Sequence, residues 1–212
     1  MNEELKKTGT TTVGIACKDG VVLATERRAT MGTLIAHKAT QKLFEIDDHL
    51  GMTTAGLVGD AQILVRYMVA EARLYRLRYA RPISVNAAST LMSNILSSNK
   101  YLPYWVQLVL GGLDSKGSHV FSLDPAGGSI EDEYVTTGSG SPYVYGVLED
   151  HYTGEVTTKE AVDLAIRGLV AAMKRDAASG EGIDIAVIDS GGFNLLDDKA
   201  IQDRIKKMKL KM

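Results

Sequence analysis

Short β-rich runs separated by polar turns open the chain. Thr11 to Cys17 and Val21 to Thr25 are rich in β-branched and apolar residues, and the polar turn between them ends at Gly20. This combination predicts a β-hairpin. Lys42 to Ile46 and Gly51 to Ala55 repeat the arrangement around an acidic turn. We therefore expect four strands before the first helix.

Helical periodicity follows these strands. From Asp60 to about Tyr79, apolar residues recur at spacings of three and four, which predicts an amphipathic helix that ends before Pro82. Ser84 is a suitable N-cap for a second helix that runs to about Ser98. Three later helices are predicted from their start signals: Ser141-Pro142, the capping pair Thr157 and Glu160, and Asp197. Two helix pairs result, and each pair can cover one face of a sheet.

The order of the elements indicates the fold class. The remaining strands are predicted at Trp105 to Leu110, His119 to Leu123, Ser129 to Thr136, Ile183 to Ile188 and near Phe193. Strands and helices alternate in blocks, not one by one, which favours antiparallel sheets over parallel βαβ units. The predicted fold is therefore α+β, a four-layer αββα sandwich of two antiparallel sheets flanked by helix pairs.

Composition narrows the class of protein. The 212 residues are 45% hydrophobic and 24% charged, which fits one globular domain. A formal net charge of −2 disfavours nucleic-acid binding, which usually requires a strongly basic face. The lone cysteine, Cys17, excludes an internal disulfide, and no run approaches the ~18 apolar residues of a membrane span. We expect a cytoplasmic protein without a nucleic-acid or membrane partner.

A glycine-threonine junction just before the first predicted strand suggests chemistry. If the bond between Gly9 and Thr10 is cut, Thr10 carries a free α-amine beside its own hydroxyl. A threonine hydroxyl is a weak nucleophile that needs a proton acceptor, and an α-amine with an unperturbed pKa of about 7.7–8.0 is a suitable one. The alternative is that Thr10 to Thr12 are ordinary β-branched strand formers after an irregular N-terminus.

Six blocks of sequence, the first of which contains this junction, occur in a characteristic order. They are Gly9-Thr10-Thr11-Thr12-Val13-Gly14-Ile15, Ala24-Thr25-Glu26-Arg27-Arg28, His37-Lys38 leading to Lys42, Ala55-Gly56-Leu57-Val58-Gly59-Asp60, Gly138-Ser139-Gly140-Ser141 and Arg175-Asp176-Ala177-Ala178-Ser179-Gly180. Together they resemble the β subunits of archaeal 20S proteasomes, which are N-terminal nucleophile threonine proteases. The resemblance runs from Thr10 to about Ile188.

The resemblance implies a role for each of seven residues. It assigns Thr10 as the nucleophile, uncovered when residues 1–9 are removed by autocleavage to leave a catalytic domain of residues 10–212. Lys42 would lower the pKa of the threonine groups, and Glu26 would keep that lysine charged. Gly56 would donate its N–H to the oxyanion. A polar cluster near the threonine amine would consist of Ser139, Asp176 and Ser179.

Each of these residues also has an ordinary structural interpretation. Lys42 can be a lysine on a strand edge, and Glu26 a surface residue at a strand end. Gly56 can be a turn glycine after a strand. Ser139 can belong to a glycine-rich helix entry, and Asp176 with Ser179 to the C-terminal end of a helix.

The resemblance also implies a substrate pocket and an assembly. The pocket positions are Ala29, Thr40, Thr54 and Val58, with Lys42 at the base, and their small, mostly uncharged side chains suggest cleavage after apolar residues. Seven-membered β rings would stack as a pair between two rings of proteasome α subunits. A ring-shaped AAA ATPase would deliver unfolded polypeptides through the α rings. No cofactor or metal is expected in the β subunit.

Other chemistries fit the residues less well. The four histidines lack metal-ligand spacing, and Gly138-Ser139-Gly140 has neither the lysine of a phosphate-binding loop nor the spacing of a serine-hydrolase elbow. Two alternatives to the proteasome protease stay open. The chain can be a noncatalytic scaffold subunit of the same fold, or another N-terminal nucleophile enzyme, either the related bacterial two-tier protease or a small-amide hydrolase.

Overall fold

The computed structural model describes residues 9–211. In chain order its elements are β1 (Thr11–Cys17), β2 (Gly20–Glu26), β3 (Ala29–Met31), β4 (Leu34–His37), β5 (Leu43–Asp47), β6 (Leu50–Gly56), α1 (Val58–Tyr79), α2 (Val85–Ser98), β7 (Val106–Asp114), β8 (Gly117–Leu123), β9 (Ser129–Glu131), β10 (Tyr134–Gly138), α3 (Ser141–His151), α4 (Thr158–Arg175), β11 (Ile183–Asp189), β12 (Gly192–Leu195) and α5 (Asp198–Lys207).

Two five-stranded sheets form the centre of the molecule. Sheet I has the strand order β10-β1-β2-β11-β12 and sheet II the order β5-β6-β7-β8-β9, with antiparallel neighbours throughout. One hydrophobic cluster joins sheet I to α3, α4 and α5, and another joins sheet II to α1 and α2. The predicted α+β fold, a four-layer αββα sandwich, is therefore confirmed.

A third hydrophobic cluster fills the space between the two sheets. Val21 and Leu23 of sheet I meet Val109 and Val120 of sheet II there. Glycines allow the sheets to approach closely, because a Cβ on Gly14 would lie 2.7 Å from Val109 Cγ1 and 2.9 Å from Val120 Cγ1. Since interiors are packed as densely as organic crystals, such a side chain would force the two sheets apart.

α2, α3, α4 and α5 begin at their predicted start signals, whereas α1 begins at Val58, two residues before the predicted Asp60. The Ser84 hydroxyl accepts a hydrogen bond from the Ala87 N–H, and Thr157 with Glu160 forms a reciprocal capping box at the start of α4. Each such cap stabilises a helix by about 1 kcal/mol. α4 buries ten of its residues, which agrees with its position over sheet I. Across residues 9–211, no helix is long and apolar enough to cross a membrane.

Cys17 is a free cysteine at the end of β1, buried among apolar side chains. Burial, with a smaller contribution from the nearby Asp19 carboxylate, raises the pKa of its thiol to about 12. A thiol at this pKa stays protonated and unreactive at neutral pH. Cys17 therefore packs as a small buried apolar side chain.

Two predictions about the strands are wrong. Between residue 9 and α1 the structure has six strands, not four, because β3 and β4 form a separate hairpin. The run from Ser129 to Thr136, predicted as one strand, is two: β9 pairs with β8 in sheet II, and β10 pairs with β1 in sheet I. The break falls at Asp132 and Glu133, where the chain crosses from one sheet to the other.

Candidate active site

Thr10 lies directly before β1 and lines a pocket together with residues of the β3–β4 hairpin. It is only 4% exposed. The chain is continuous through the Gly9–Thr10 bond, so the Thr10 nitrogen is an amide in this structure. The rest of the predicted leader, residues 1–8, lies outside the described residues. Removal of residues 1–9 therefore stays a prediction.

Glu26 and Lys42 form a buried ion pair beside Thr10. Their side chains are 0% and 6% exposed, and the Lys42 ammonium donates to Glu26 Oε1 and to the Arg28 carbonyl oxygen. Three backbone N–H groups also donate to the carboxylate: Thr11 to Oε1 at 3.3 Å, and Arg28 and Gly180 to Oε2 at 2.6 and 2.9 Å. Neither residue is the surface group that the ordinary interpretation suggested.

Burial and mutual attraction act in opposite directions on this pair. Burial lowers the pKa of the Lys42 ammonium, and the Glu26 carboxylate opposes that change. Burial likewise raises the pKa of Glu26, while Lys42 and the N–H groups of Gly180 and Arg28 oppose it. Lys42 therefore gives up its proton more readily than a solvated lysine, although a counterion is in contact with it.

Ser139, Asp176 and Ser179 form a second polar cluster. Both serine hydroxyls donate to Asp176 Oδ2 at 2.6 Å. Because the Ser179 proton is used in this way, the Thr11 hydroxyl is the donor in its 2.6 Å contact with Ser179 Oγ. The Ser139 oxygen also lies 3.4 Å from the Thr10 carbonyl oxygen. The cluster thus reaches Thr10 through its carbonyl and through the neighbouring Thr11.

The backbone conformation of Gly56 requires a glycine. Its φ is +127°, and a Cβ at this position would lie 2.0 Å from the Trp105 carbonyl oxygen. L residues with a side chain rarely adopt this region. The residue closes β6 and belongs to the wall of the pocket that holds Thr10. Its predicted role as an oxyanion donor stays a prediction.

A pocket of about 270 Å³ opens beside Thr10. All four predicted pocket residues, Ala29, Thr40, Thr54 and Val58, line it together with Lys42 and Gly56. The sequence interpretation did not include several other residues of its wall, namely Thr30, Met31, Ala36, His37, Gln41, Phe44, Leu57, Ala61 and Gln62. Several of these residues belong to the β3–β4 hairpin, which was not predicted, and most of the set carries no signal in the sequence.

Sequence reasoning also missed Thr11. The Thr10-Thr11-Thr12 run drew attention to its first member, but Thr11 links the two polar clusters through its N–H to Glu26 and its hydroxyl to Ser179. Adjacency to the candidate nucleophile was the available signal. The structure thus brings together all seven predicted site residues, from Thr10 to Ser179, in one pocket and the two polar clusters next to it.

The αββα sandwich with a buried threonine at the start of its first strand is the architecture of the N-terminal nucleophile hydrolases. Residues 6–188 match the family of proteasome subunits. The chain belongs to this family.

Curated relatives extend the match to nearly the whole chain. The chain is 56% identical over 211 residues to a proteasome subunit beta of Thermoplasma acidophilum, covering 99% of each chain. It is 54% identical over 209 residues to that of Methanothermobacter thermautotrophicus, covering 98% of this chain and 100% of the relative. It is 51% identical over 210 residues to that of Archaeoglobus fulgidus, covering 99% of each.

Proposed function

We propose that this chain is the catalytic β subunit of a 20S proteasome core particle and acts as a threonine-type endopeptidase. One observation carries the proposal: Thr10 lies in a pocket with the buried Lys42–Glu26 pair. The noncatalytic alternative requires none of this arrangement, since burying an ion pair costs several kcal/mol of desolvation per charge. The family membership and the β-subunit relatives support the same function.

Maturation would come first. The Thr10 hydroxyl attacks the carbonyl carbon of Gly9, the Gly9–Thr10 amide bond breaks, and the acyl group moves from nitrogen to oxygen. Water then hydrolyses the ester, releasing residues 1–9 with a carboxylate on Gly9 and leaving a free α-amine on Thr10. The hydroxyl proton passes to the Thr10 nitrogen, which becomes the amine as the amide bond breaks, and the Lys42 ammonium favours this loss by electrostatic attraction to the oxyanion.

Peptide hydrolysis would follow the same path on an external substrate. The Thr10 α-amine accepts the hydroxyl proton as the oxygen attacks, and returns it to the departing amine of the substrate. The Gly56 N–H stabilises the oxyanion, a contribution of roughly 3 kcal/mol in comparable sites. Water then hydrolyses the acyl-enzyme with the same amine as base. Asp176, Ser139 and Ser179 hold the threonine end of β1 in place.

The pocket favours uncharged apolar side chains before the cleaved bond. Met31, Phe44, Leu57 and Ala61 provide apolar surface in its wall, in addition to Val58. Among the described residues of the wall, the one lysine is Lys42, and it already has Glu26 as its counterion. A substrate carboxylate would therefore lose its hydration without gaining a free cation.

The chain is a subunit of a proteasome complex, and we propose the arrangement of that complex from the family. Two seven-membered β rings stack between two rings of α subunits, and the Thr10 sites face the inner chamber. A ring-shaped AAA ATPase unfolds substrates and passes them through the α rings. We propose a cytoplasmic location, which agrees with the unpaired Cys17.

The test is the intact mass of the chain after coexpression and assembly with a proteasome α subunit. We expect loss of residues 1–9, peptide hydrolysis by the assembled particle, and a covalent adduct of an epoxyketone on Thr10. The variant Thr10→Ala should assemble and keep the leader, and Thr10→Ser should retain measurable cleavage. A full-length mass and no hydrolysis in assembled wild-type rings would establish the scaffold alternative instead.

A further inference from the structure

Thr30 is a buried polar residue in a hairpin whose other residues are exposed or, at Ala29, half-buried. It is 6% exposed, whereas Met31 and Leu34 of the same β3–β4 hairpin are 48% and 59% exposed. A buried hydroxyl is costly unless it forms a hydrogen bond. The hydrogen-bond partner of the Thr30 hydroxyl therefore indicates why a threonine is buried here.

The Thr30 hydroxyl accepts a hydrogen bond from the Gly9 N–H, with 3.2 Å between nitrogen and oxygen. A β-bulge next to Thr30 leaves Ala36 of β4 as the extra residue. Bulges reorient neighbouring side chains and are common beside active sites. The hairpin thus directs one hydroxyl at the residue whose carbonyl is attacked in the proposed maturation.

Gly9 is also confined on its other side. A Cβ on this residue would lie 1.9 Å from Ala178 Cβ and 2.7 Å from Ser139 Oγ. Glycine has wide torsional freedom, so the slot restricts its position while a hydrogen bond to its N–H restricts its orientation. Both restrictions act on the residue that precedes the bond to be cut.

We propose that Thr30 is a positioning residue for removal of the leader. By holding the Gly9 N–H, its hydroxyl orients the Gly9 carbonyl carbon toward the Thr10 hydroxyl. Correct orientation of reacting groups accelerates an intramolecular attack. The inference rests on the proposed function. When Gly9 departs, the hydrogen bond departs with it, so the effect belongs to maturation more than to later peptide hydrolysis.

The experiment compares Thr30→Val, Thr30→Ala and Thr30→Ser in the full chain, coexpressed with a proteasome α subunit. Intact mass is followed over time in assembled particles separated by sedimentation. Loss of one neutral hydrogen bond should slow leader removal roughly fivefold in the Val and Ala variants. Thr30→Ser keeps the acceptor and should mature within about twofold of wild type. Thr136→Val, at a buried threonine of β10 that does not line the pocket of Thr10, is the matched control for hydroxyl loss and should mature at the wild-type rate.

A second measurement separates positioning from a general effect on the site. A chain that begins at Thr10, exposed by cleaving an N-terminal fusion, is assembled with and without Thr30→Val. We expect its peptide hydrolysis to fall by less than the maturation rate does. Equal losses, or maturation of Thr30→Val and Thr30→Ala at the wild-type rate, would overturn the inference alone. Retention of residues 1–9 by the wild-type chain would overturn the proposed function as well.

Discussion

The Glu26 carboxylate receives the Lys42 ammonium and the N–H groups of three chain segments in one buried position. One of those N–H groups belongs to Thr11, the residue that follows the candidate nucleophile. The pair therefore fixes the position of the first strand as well as the charge in the pocket. A change to either residue should affect both activity and stability.

Lys42→Ala should abolish peptide hydrolysis in particles that still assemble. Removing the ammonium from the pocket that Thr10 and Lys42 both line should lower the rate by more than ~100-fold. The buried Glu26 loses its counterion, so the free energy of unfolding should fall by about 3 kcal/mol. Hydrolysis per assembled particle and denaturant unfolding measure the two effects. Lys38→Ala, an exposed lysine on the same segment, is the control. Wild-type turnover in Lys42→Ala would refute its role.

The pH dependence of kcat/KM should reveal the Lys42 charge. Burial lowers the pKa of Lys42, so its proton is lost at a lower pH than that of a solvated lysine, and activity should fall on the alkaline side accordingly. Glu26→Gln removes the carboxylate that opposes this lowering. The alkaline limb should therefore move to lower pH, and the exposed Glu45→Gln should leave it in place. A limb that stays fixed or moves upward in Glu26→Gln would contradict the assignment.

Gly9→Ala should delay removal of the leader. The added methyl group overlaps Ala178 Cβ, at 1.9 Å, so the Gly9 carbonyl must shift away from Thr10. We expect maturation to slow by at least about tenfold, measured as intact mass over time. The double variant Gly9→Ala with Ala178→Gly removes that overlap and should recover much of the rate, with Ala178→Gly alone as the reference. No recovery would show that space beside Ala178 is not the reason for glycine.

Gly56→Ala should impair hydrolysis, because its Cβ would overlap the Trp105 carbonyl oxygen and the φ of +127° is unfavourable for alanine. The resulting displacement of the pocket wall should lower kcat roughly 100-fold. Gly59→Ala is the matched control, since open space surrounds its Cβ at the start of α1. It should retain activity and gain about 0.5–1 kcal/mol of stability. Equal activity in the two variants would exclude a special role for Gly56.

Substrate preference can be tested with short peptides that differ in the residue before the cleaved bond. Leucine or tyrosine should give a kcat/KM at least ~10-fold higher than glutamate, because a carboxylate loses its hydration in the pocket. The comparison requires matured particles, titrated with an epoxyketone. Faster cleavage after glutamate would mean that Lys42 is available to substrates despite its contact with Glu26.

The layered fold could be predicted from periodicity and capping signals. β1, β2 and the helices that start at Ser84 and Thr157 have strong local patterns, and the structure agrees with them. The β3–β4 hairpin could not be predicted, because its strands have three and four residues and most of its side chains are exposed. The division of the run from Ser129 to Thr136 at Asp132 could not be predicted either, because it depends on β9 and β10 pairing in different sheets.

Local sequence patterns predict less of the candidate site than of the fold. Thr10 and Lys42 are distant from Asp176 in sequence, and no spacing rule brings them together. The glycine-threonine junction marks Thr10 in the sequence, but Lys42 and Asp176 are selected only through the resemblance to a family. Thr30 carries no local signal, since a threonine in a strand is ordinary, and the one signal for Thr11 is its adjacency to Thr10. Only the folded arrangement shows which hydroxyl faces Gly9 and which reaches Ser179.

The close approach of the two sheets has a consequence for the chemistry. Thr10 precedes a strand of sheet I, and Lys42 precedes a strand of sheet II, so the thickness of the sandwich helps to set the distance between nucleophile and ammonium. Gly14 helps to keep that thickness small. A methyl group added at Gly14 should push the two sheets apart. The distance between Thr10 and Lys42 should then change, although no polar atom has been altered. The packing of the apolar core thus helps to set the geometry of the reacting groups.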